Sequence, residues 1–169
     1  MHLAQVNVSR LLAPTSSELL AGFVAASGPI ERAGEAAAGY VWRTQATVPP
    51  GMRTHPFAAY LGDSAGLVVN LSVWESLEAL AGFVHTGPHL QALRRRRSWF
   101  APHPGPAAVL WWVREGHRPR MPEAAERLGH LRAHGPTAYA FTPRHPFPEP
   151  AEAPGTPGPL VAPPTGTDR

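Results

Sequence analysis

Three sets of side chains in this sequence have the types and spacing to do chemistry. The first is a pair of matching tetrapeptides, Val6-Asn7-Val8-Ser9 and Val69-Asn70-Leu71-Ser72. In an extended chain, residues two apart share a face. Gln5 therefore lies beside Asn7, and Asn70 lies on the same face as Trp74. Carboxamides offer donors and acceptors without charge, which suits them to hold the oxygens of a neutral ligand. The second set is His89 with the arginine run at residues 94–97. A neutral imidazole is a general base near physiological pH, or an axial ligand for haem. A guanidinium turned inward needs a carboxylate, backbone carbonyls or an anionic ligand. The third set is Trp42, Trp74, Trp99, Trp111 and Trp112, which could wall a pocket for a planar hydrophobic molecule.

Each set also has a plainer reading. Tryptophans fill cores and interfaces, and a half-buried histidine is more often hydrogen-bonded than catalytic. On a helical wheel Leu90, Leu93 and Phe100 mark a buried arc. Arg97 falls within that arc and Arg96 at its edge, while Arg94 and Arg95 point away. Structural ion pairing or an interface contact accounts for an inward arginine as readily as catalysis does. Other patterns fail on context. Gly62-Asp63-Ser64-Ala65-Gly66 fits G-x-S-x-G, but a loop precedes it and a strand follows, the reverse of a nucleophile elbow. His85 and His89 are separated by Gly87-Pro88. His130 and His134 have helical spacing but no third ligand.

The elements that position these groups follow from periodicity. Residues 2–9 alternate as a strand. Thr15-Ser16-Ser17-Glu18 has capping-box spacing ahead of a helix carrying Leu19, Leu20, Phe23 and Val24, interrupted at Gly28-Pro29 and ending by Gly39. Residues 40–46 read as a second strand. Residues 47–65 have no period and form a loop long enough to be a lid. Residues 66–74 are a nearly all-apolar, central strand. Leu77, Leu80, Ala81 and Val84 make one helical stripe, Gly87-Pro88 ends it, and Pro88 opens the next helix. Residues 107–114 form a fourth strand. Pro122 opens a last helix that Gly135 caps.

The order β-α-β, loop, β-α-β, helix is that of an α+β, ferredoxin-like split βαβ fold with a four-stranded antiparallel sheet and an extra C-terminal helix. The first and third strands are then central neighbours. Helices on one side would leave the face bearing Gln5, Asn7, Asn70, Trp74 and one of Trp111 or Trp112 uncovered. Two copies packed through that face would enclose a partly polar cavity, so a homodimer is expected.

The runs LVVNLSVWESLEALAGFVHTGPHLQALRRRRSWF, VLWWVREGHRP and EAAERLGHLRAHGPTAYAFT resemble an uncharacterised bacterial family of the dimeric α/β-barrel superfamily. Arg114-Glu115 stands where that family usually has proline, and His85 where an aromatic is usual. The superfamily includes cofactor-free antibiotic-biosynthesis monooxygenases, lactone isomerases, polyketide cyclases and haem enzymes. The resemblance implies a fold with a small-molecule pocket, and one fold hosting many chemistries does not choose among them.

Composition bounds the rest. The chain has 169 residues, no cysteine, and a formal charge of +3 from 15 basic and 12 acidic side chains. Cysteine chemistry is excluded, and so mild a charge does not suit nucleic acid. No apolar run approaches the roughly 20 residues that span a bilayer, and the first residues do not read as a signal peptide. A cytoplasmic location with no membrane partner is expected. Nine of the 21 prolines fall in residues 143–169, which read as a disordered tail following one domain over residues 1–142. The leading expectation is an enzyme acting on a hydrophobic, oxygenated, possible natural-product substrate without an organic cofactor or metal. In it His89 moves a proton, Asn7 and Asn70 bind substrate, and Arg96 or Arg97 balances charge. The alternatives are a haem enzyme with His89 as ligand, and a non-catalytic ligand-binding dimer.

Overall fold

The computed structural model describes residues 1–151. It contains β1 (His2–Leu11), α1 (Ala21–Glu35), β2 (Tyr40–Val48), β3 (Leu67–Trp74), α2 (Leu77–Val84), α3 (Gly87–Arg95), β4 (Phe100–Ala101), β5 (Ala108–Val113) and α4 (Met121–His134). The β1 strand pairs antiparallel with β3 along one edge and with β5 along the other, while the short β4 adds two residues beyond β5. On the outer side of β3 lies β2, also antiparallel. The strand order β2-β3-β1-β5 is the ferredoxin-like arrangement, with β1 and β3 at the centre as the element order predicts, and the sheet is open. Asn7 and Asn70 are direct cross-strand partners.

Alternation along the strands divides the side chains between two faces. One face carries Ala4, Val6, Val8, Val69, Leu71, Val73, Val109, Trp111 and Val113, all buried. It packs against Ala124, Leu128 and Leu131 of α4 and against Phe57 and Leu61 of the long loop after β2. Full burial of a side chain such as Phe57 contributes about 1.5–3 kcal/mol. The other face carries Leu3, Gln5, Asn7 and Leu11 from β1, Asn70, Ser72 and Trp74 from β3, and Leu110 and Trp112 from β5. Its Trp74 end packs on Leu80 and Phe83 of α2, and its Val68 end packs on Leu20, Phe23 and Trp99.

The amide-bearing face therefore lies beneath α1, α2 and α3, and the opposite face is covered by α4 and the loop. The homodimer was expected on a wholly uncovered sheet face; here helices pack on both faces, and the amides in the middle of this one stay partly exposed. The loop is no lid over the amides: its apolar Phe57 and Leu61 are drawn to the all-aliphatic side.

Several local features differ from the sequence reading for identifiable reasons. The first helix begins with a single 3-10 turn, Glu18–Leu20, and Thr15 does not cap it. Ser17 instead donates to the Pro14 carbonyl at 2.6 Å. Pro29 does not break α1, which runs through it to Glu35 and packs along α3; tertiary packing outweighs the lost hydrogen bond. The caps of α2 and α4 form as their sequences require. Ser76 accepts from the Ala79 N–H at 3.1 Å, and Gly135 takes φ +74° after α4, a backbone geometry that favours glycine.

The expected domain boundary after residue 142 falls inside a packed stretch. Phe141 exchanges two backbone hydrogen bonds with Leu110, 2.8 and 2.9 Å, sealing the outer edge of β5. Phe147 lies against Phe141 and Trp112, and Glu149 pairs with the N-terminal amine. The remainder of the expected tail, residues 152–169, lies outside the described residues.

Candidate functional site

The helix-covered face is apolar at both ends and polar in the middle. Gln5 stands opposite Ser72, and Asn7 opposite Asn70, so β1 and β3 alone lay down a floor of three amides and a hydroxyl. Trp74 Nε1 donates to Ser72 Oγ at 2.9 Å, and Ser72 Oγ donates to Gln5 Oε1 at 3.0 Å. This chain fixes Gln5 with its amide N–H groups unspent. Asn7 Oδ1 is buried without a hydrogen-bond partner, and the Asn70 side chain makes no hydrogen bond among the described residues. A buried acceptor without a donor costs about 1–3 kcal/mol, so the floor is poorer in stability than the face behind it and richer in unmet polar valence.

Aromatic rings frame the floor. Trp74 stacks on Phe83 at 5.1 Å and meets Tyr40 edge-on at 5.6 Å. Trp112 lies on this face near the β5 edge, half-buried, and donates from Nε1 to the Phe147 carbonyl at 2.9 Å. Trp99 closes the other end within the Leu11–Leu20–Val68 cluster. His89 sits one ring further out, 4.8 Å from Phe83. Its Nδ1 lies 3.1 Å from the Val84 carbonyl. A carbonyl only accepts, so Nδ1 carries the proton and Nε2 is the basic nitrogen. Burial pulls the pKa of His89 below the usual histidine range; the Val84 carbonyl opposes this and His85 adds to it.

Gln5, Asn7, Asn70, Trp74 and Trp112 are thus brought onto one face, with Trp99 at its far end and His89 behind Phe83. Trp42 and Trp111 are on the opposite face. Trp111 is fully buried and donates to Glu123 Oε1 at 2.9 Å, while Trp42 lies beneath the Arg118 guanidinium, 6.0 Å from the ring centroid. Parity along strands β2 and β5 decides both positions. Arg96 and Arg97 are exposed and do not reach the floor. The α-helix ends at Arg95 and a 3-10 turn covers Arg96–Ser98; its tighter winding shifts the phase of the wheel and turns both guanidinium groups to solvent. The charged side chain that the strands do place on the amide face is Arg43, opposite Ser72 and 3.3 Å from Glu31 of α1.

Ser72 and Phe83 were not singled out in the sequence, although the alternation joining Asn70 to Trp74 passes through Ser72. Phe147 had no local signal, lying in a proline-rich run. Ser64 of the G-x-S-x-G match donates to the Leu61 carbonyl at 2.6 Å inside a turn, a structural role.

Two shallow grooves lie among the helices, of about 330 Å3 between the end of α1 and α2, and about 210 Å3 between α1 and α3. Neither is lined by a floor amide or by His89. His89 borders neither groove, so neither offers a haem its axial ligand. Among the described residues no three His, Asp or Glu side chains cluster as metal ligands. No helix there is long and apolar enough to cross a membrane.

Sheet order, helix placement and polar floor define an α+β protein of the ferredoxin-like type. Residues 2–156 match the family described as a domain of unknown function, DUF3291, and the chain belongs to that family. Comparison with curated proteins gave no match. Among solved structures, SnoaB, a cofactor-independent oxygenase from Streptomyces nogalater, is similar at 16% identity and TM-score 0.44, over 68% of this chain and 94% of that one. Rv0793 from Mycobacterium tuberculosis is similar at 12% identity and TM-score 0.47, over 69% of this chain and all of that one.

Proposed function

We propose that the protein is a small-molecule enzyme, acting without an organic cofactor on a hydrophobic, oxygenated substrate held over the amide floor. The observation that carries this reading is the pairing of Asn7 and Asn70 at the centre of a helix-covered face, with Asn7 Oδ1 buried and unpartnered between two aromatic clusters. An acceptor in such a place calls for a ligand hydroxyl, and the free amide N–H groups of Gln5 and Asn70 call for a ligand carbonyl or oxyanion.

Monooxygenase, isomerase and cyclase chemistry on such substrates can share a first step, removal of an acidic proton next to a carbonyl or from a phenol. The electrons left behind accumulate on oxygen, where preorganised amide donors stabilise them. In this reading Asn70 and Gln5 hold the oxyanion and Asn7 fixes a hydroxyl. His89 Nε2 receives the proton if Phe83 swings aside. Oxygen uptake and absorbance changes with a panel of hydroxylated naphthalene and anthracene ketones, no cofactor added, test it. Asn70→Ala should lower kcat/KM about 100-fold, the scale of losing one oxyanion donor. Turnover unaffected by that change would overturn the assignment.

The position of Phe83 between His89 and Trp74 favours a second reading, a binding protein with no base at its floor. In that case the same ligands bind, Asn70→Ala weakens them, and no panel member is consumed.

A further inference from the structure

Behind the amide face, at the opposite side of the sheet, three basic side chains converge without an acid. Arg10, near the end of β1, donates from Nε to the Leu61 carbonyl at 3.3 Å and from one terminal nitrogen to the Pro102 carbonyl at 3.4 Å. Arg132 of α4 donates from Nε to the Pro106 carbonyl at 2.9 Å and from a second nitrogen to His103 Nδ1 at 3.4 Å. Its guanidinium stacks 4.4 Å above the Tyr60 ring. The loop Pro102-His103-Pro104-Gly105-Pro106 is thereby held between two arginines. The other guanidinium nitrogen of Arg10 lies over Gly62, where a side chain would push the arginine's tip aside and where φ is +51°.

Clamping a proline-rich loop explains only part of this. Each arginine carries five N–H donors and spends two, leaving at least one terminal nitrogen free on each. Because His103 Nδ1 accepts from Arg132, its proton is on Nε2, which is buried and has no hydrogen-bond partner. The side chains of this corner therefore carry N–H donors beyond those the Leu61, Pro102 and Pro106 carbonyls take up. The ion pairs among the described residues, Met1–Glu149, Arg43–Glu31 and His117–Glu123, involve none of these groups. Burial first, then the charges of Arg132 and Arg10, push the His103 pKa below its usual value. The Val8 carbonyl, near the ring but outside hydrogen-bond geometry with Nε2, opposes the shift. Burial also lowers the pKa of Arg132.

Two arginines with spare donors and no acidic side chain beside them are complementary to a ligand that only accepts and carries negative charge. We propose that Arg10 and Arg132, on either side of His103, form a binding site for a phosphate-class oxyanion, either free or as a phosphomonoester. The site is distinct from the amide floor, since Arg10 and α4 belong to the opposite face of the sheet. The run at residues 94–97, the obvious basic feature of the sequence, is exposed and has no such convergence.

Thermal unfolding of the full chain at pH 7 should show a saturable rise of about 2–4 °C with inorganic phosphate, measured against chloride at equal ionic strength. Phenyl phosphate in a parallel arm separates the sources: stronger stabilisation by the ester assigns a phosphorylated small molecule, and equal or weaker stabilisation assigns the free ion. Arg132→Gln should remove the saturable part, and Arg94→Gln should retain it. Should Arg132→Gln fail to fold, the wild-type protein still decides the matter. Phosphate must shift the His103 ring resonance, assigned with His103→Gln, and raise its apparent pKa by offsetting the two arginines. No saturable stabilisation, the same response in Arg132→Gln, or an unmoved His103 resonance would overturn the proposal.

Discussion

The two faces of one sheet have been put to opposite uses. Behind, Ala4, Val6, Val8, Val69, Leu71, Val73 and Val109 meet α4 and Phe57 in a continuous apolar layer. In front, the same strands give up the centre of the face to Gln5, Asn7, Asn70 and Ser72, keeping apolar contacts only at the ends. A sheet needs one well-packed face to define its register. Once the C-terminal helix and the long loop supply that face, the other can carry polar groups whose hydrogen bonds are incomplete. The difference shows how α4 and Phe57, far from any candidate chemistry, make the amide floor possible.

The contrast can be broken by mutation. Leu71→Ala, on the back face, should cost about 2–5 kcal/mol in urea unfolding. Asn70, its neighbour in the strand, should tolerate Ala with a far smaller loss. Comparable losses would mean that the amides are part of the core. Trp111→Phe should cost about 1–2 kcal/mol by removing the hydrogen bond to the Glu123 carboxylate, again read from urea unfolding. Trp74→Phe removes a neutral bond to Ser72 and should cost less.

A pH series sharpens the comparison, because each face has a histidine with a lowered pKa, His89 in front and His103 behind. In the unfolded chain each binds its proton near pH 6.5; folded, each binds it only at lower pH. The unfolded state therefore holds more protons in that window, and stability falls as pH drops from about 6.5 towards the folded values. Thermal melts should show this slope. His89→Gln and His103→Gln should each flatten it, and a slope unchanged by either would remove the buried imidazoles as its source. The smallest expected effect is Asn7→Leu, within about 1 kcal/mol of wild type or slightly stabilising, because it removes an acceptor that has no donor.

How much of this could be read beforehand depended on the range of the signal. Strand alternation and helix stripes are local, so the element order, the β1–β3 pairing and the grouping of Asn7 with Asn70 were legible. Which face the helices cover is not local. The last helix and Phe57 decide it, and neither announces its side of the sheet, so the amides were expected on an open face. The phase of Arg96 and Arg97 was lost for a smaller reason, the change from α to 3-10 winding after Arg95. Phe147 was hidden by its prolines, because a composition that resists regular structure can still supply one ring to a neighbouring tryptophan.

The central claim is that the amide floor binds a hydrophobic, hydroxylated ligand, and one titration addresses it directly. Tryptophan fluorescence should be followed as dihydroxyanthraquinone is added to wild type and to the Asn7→Leu/Asn70→Leu double variant, after urea unfolding has shown that the two are equally stable. The account predicts saturable quenching in the wild type and at least about tenfold weaker binding in the variant, the loss expected when a ligand oxygen forfeits a buried hydrogen bond. Equal affinity in the two proteins would contradict it and move the binding site off this face.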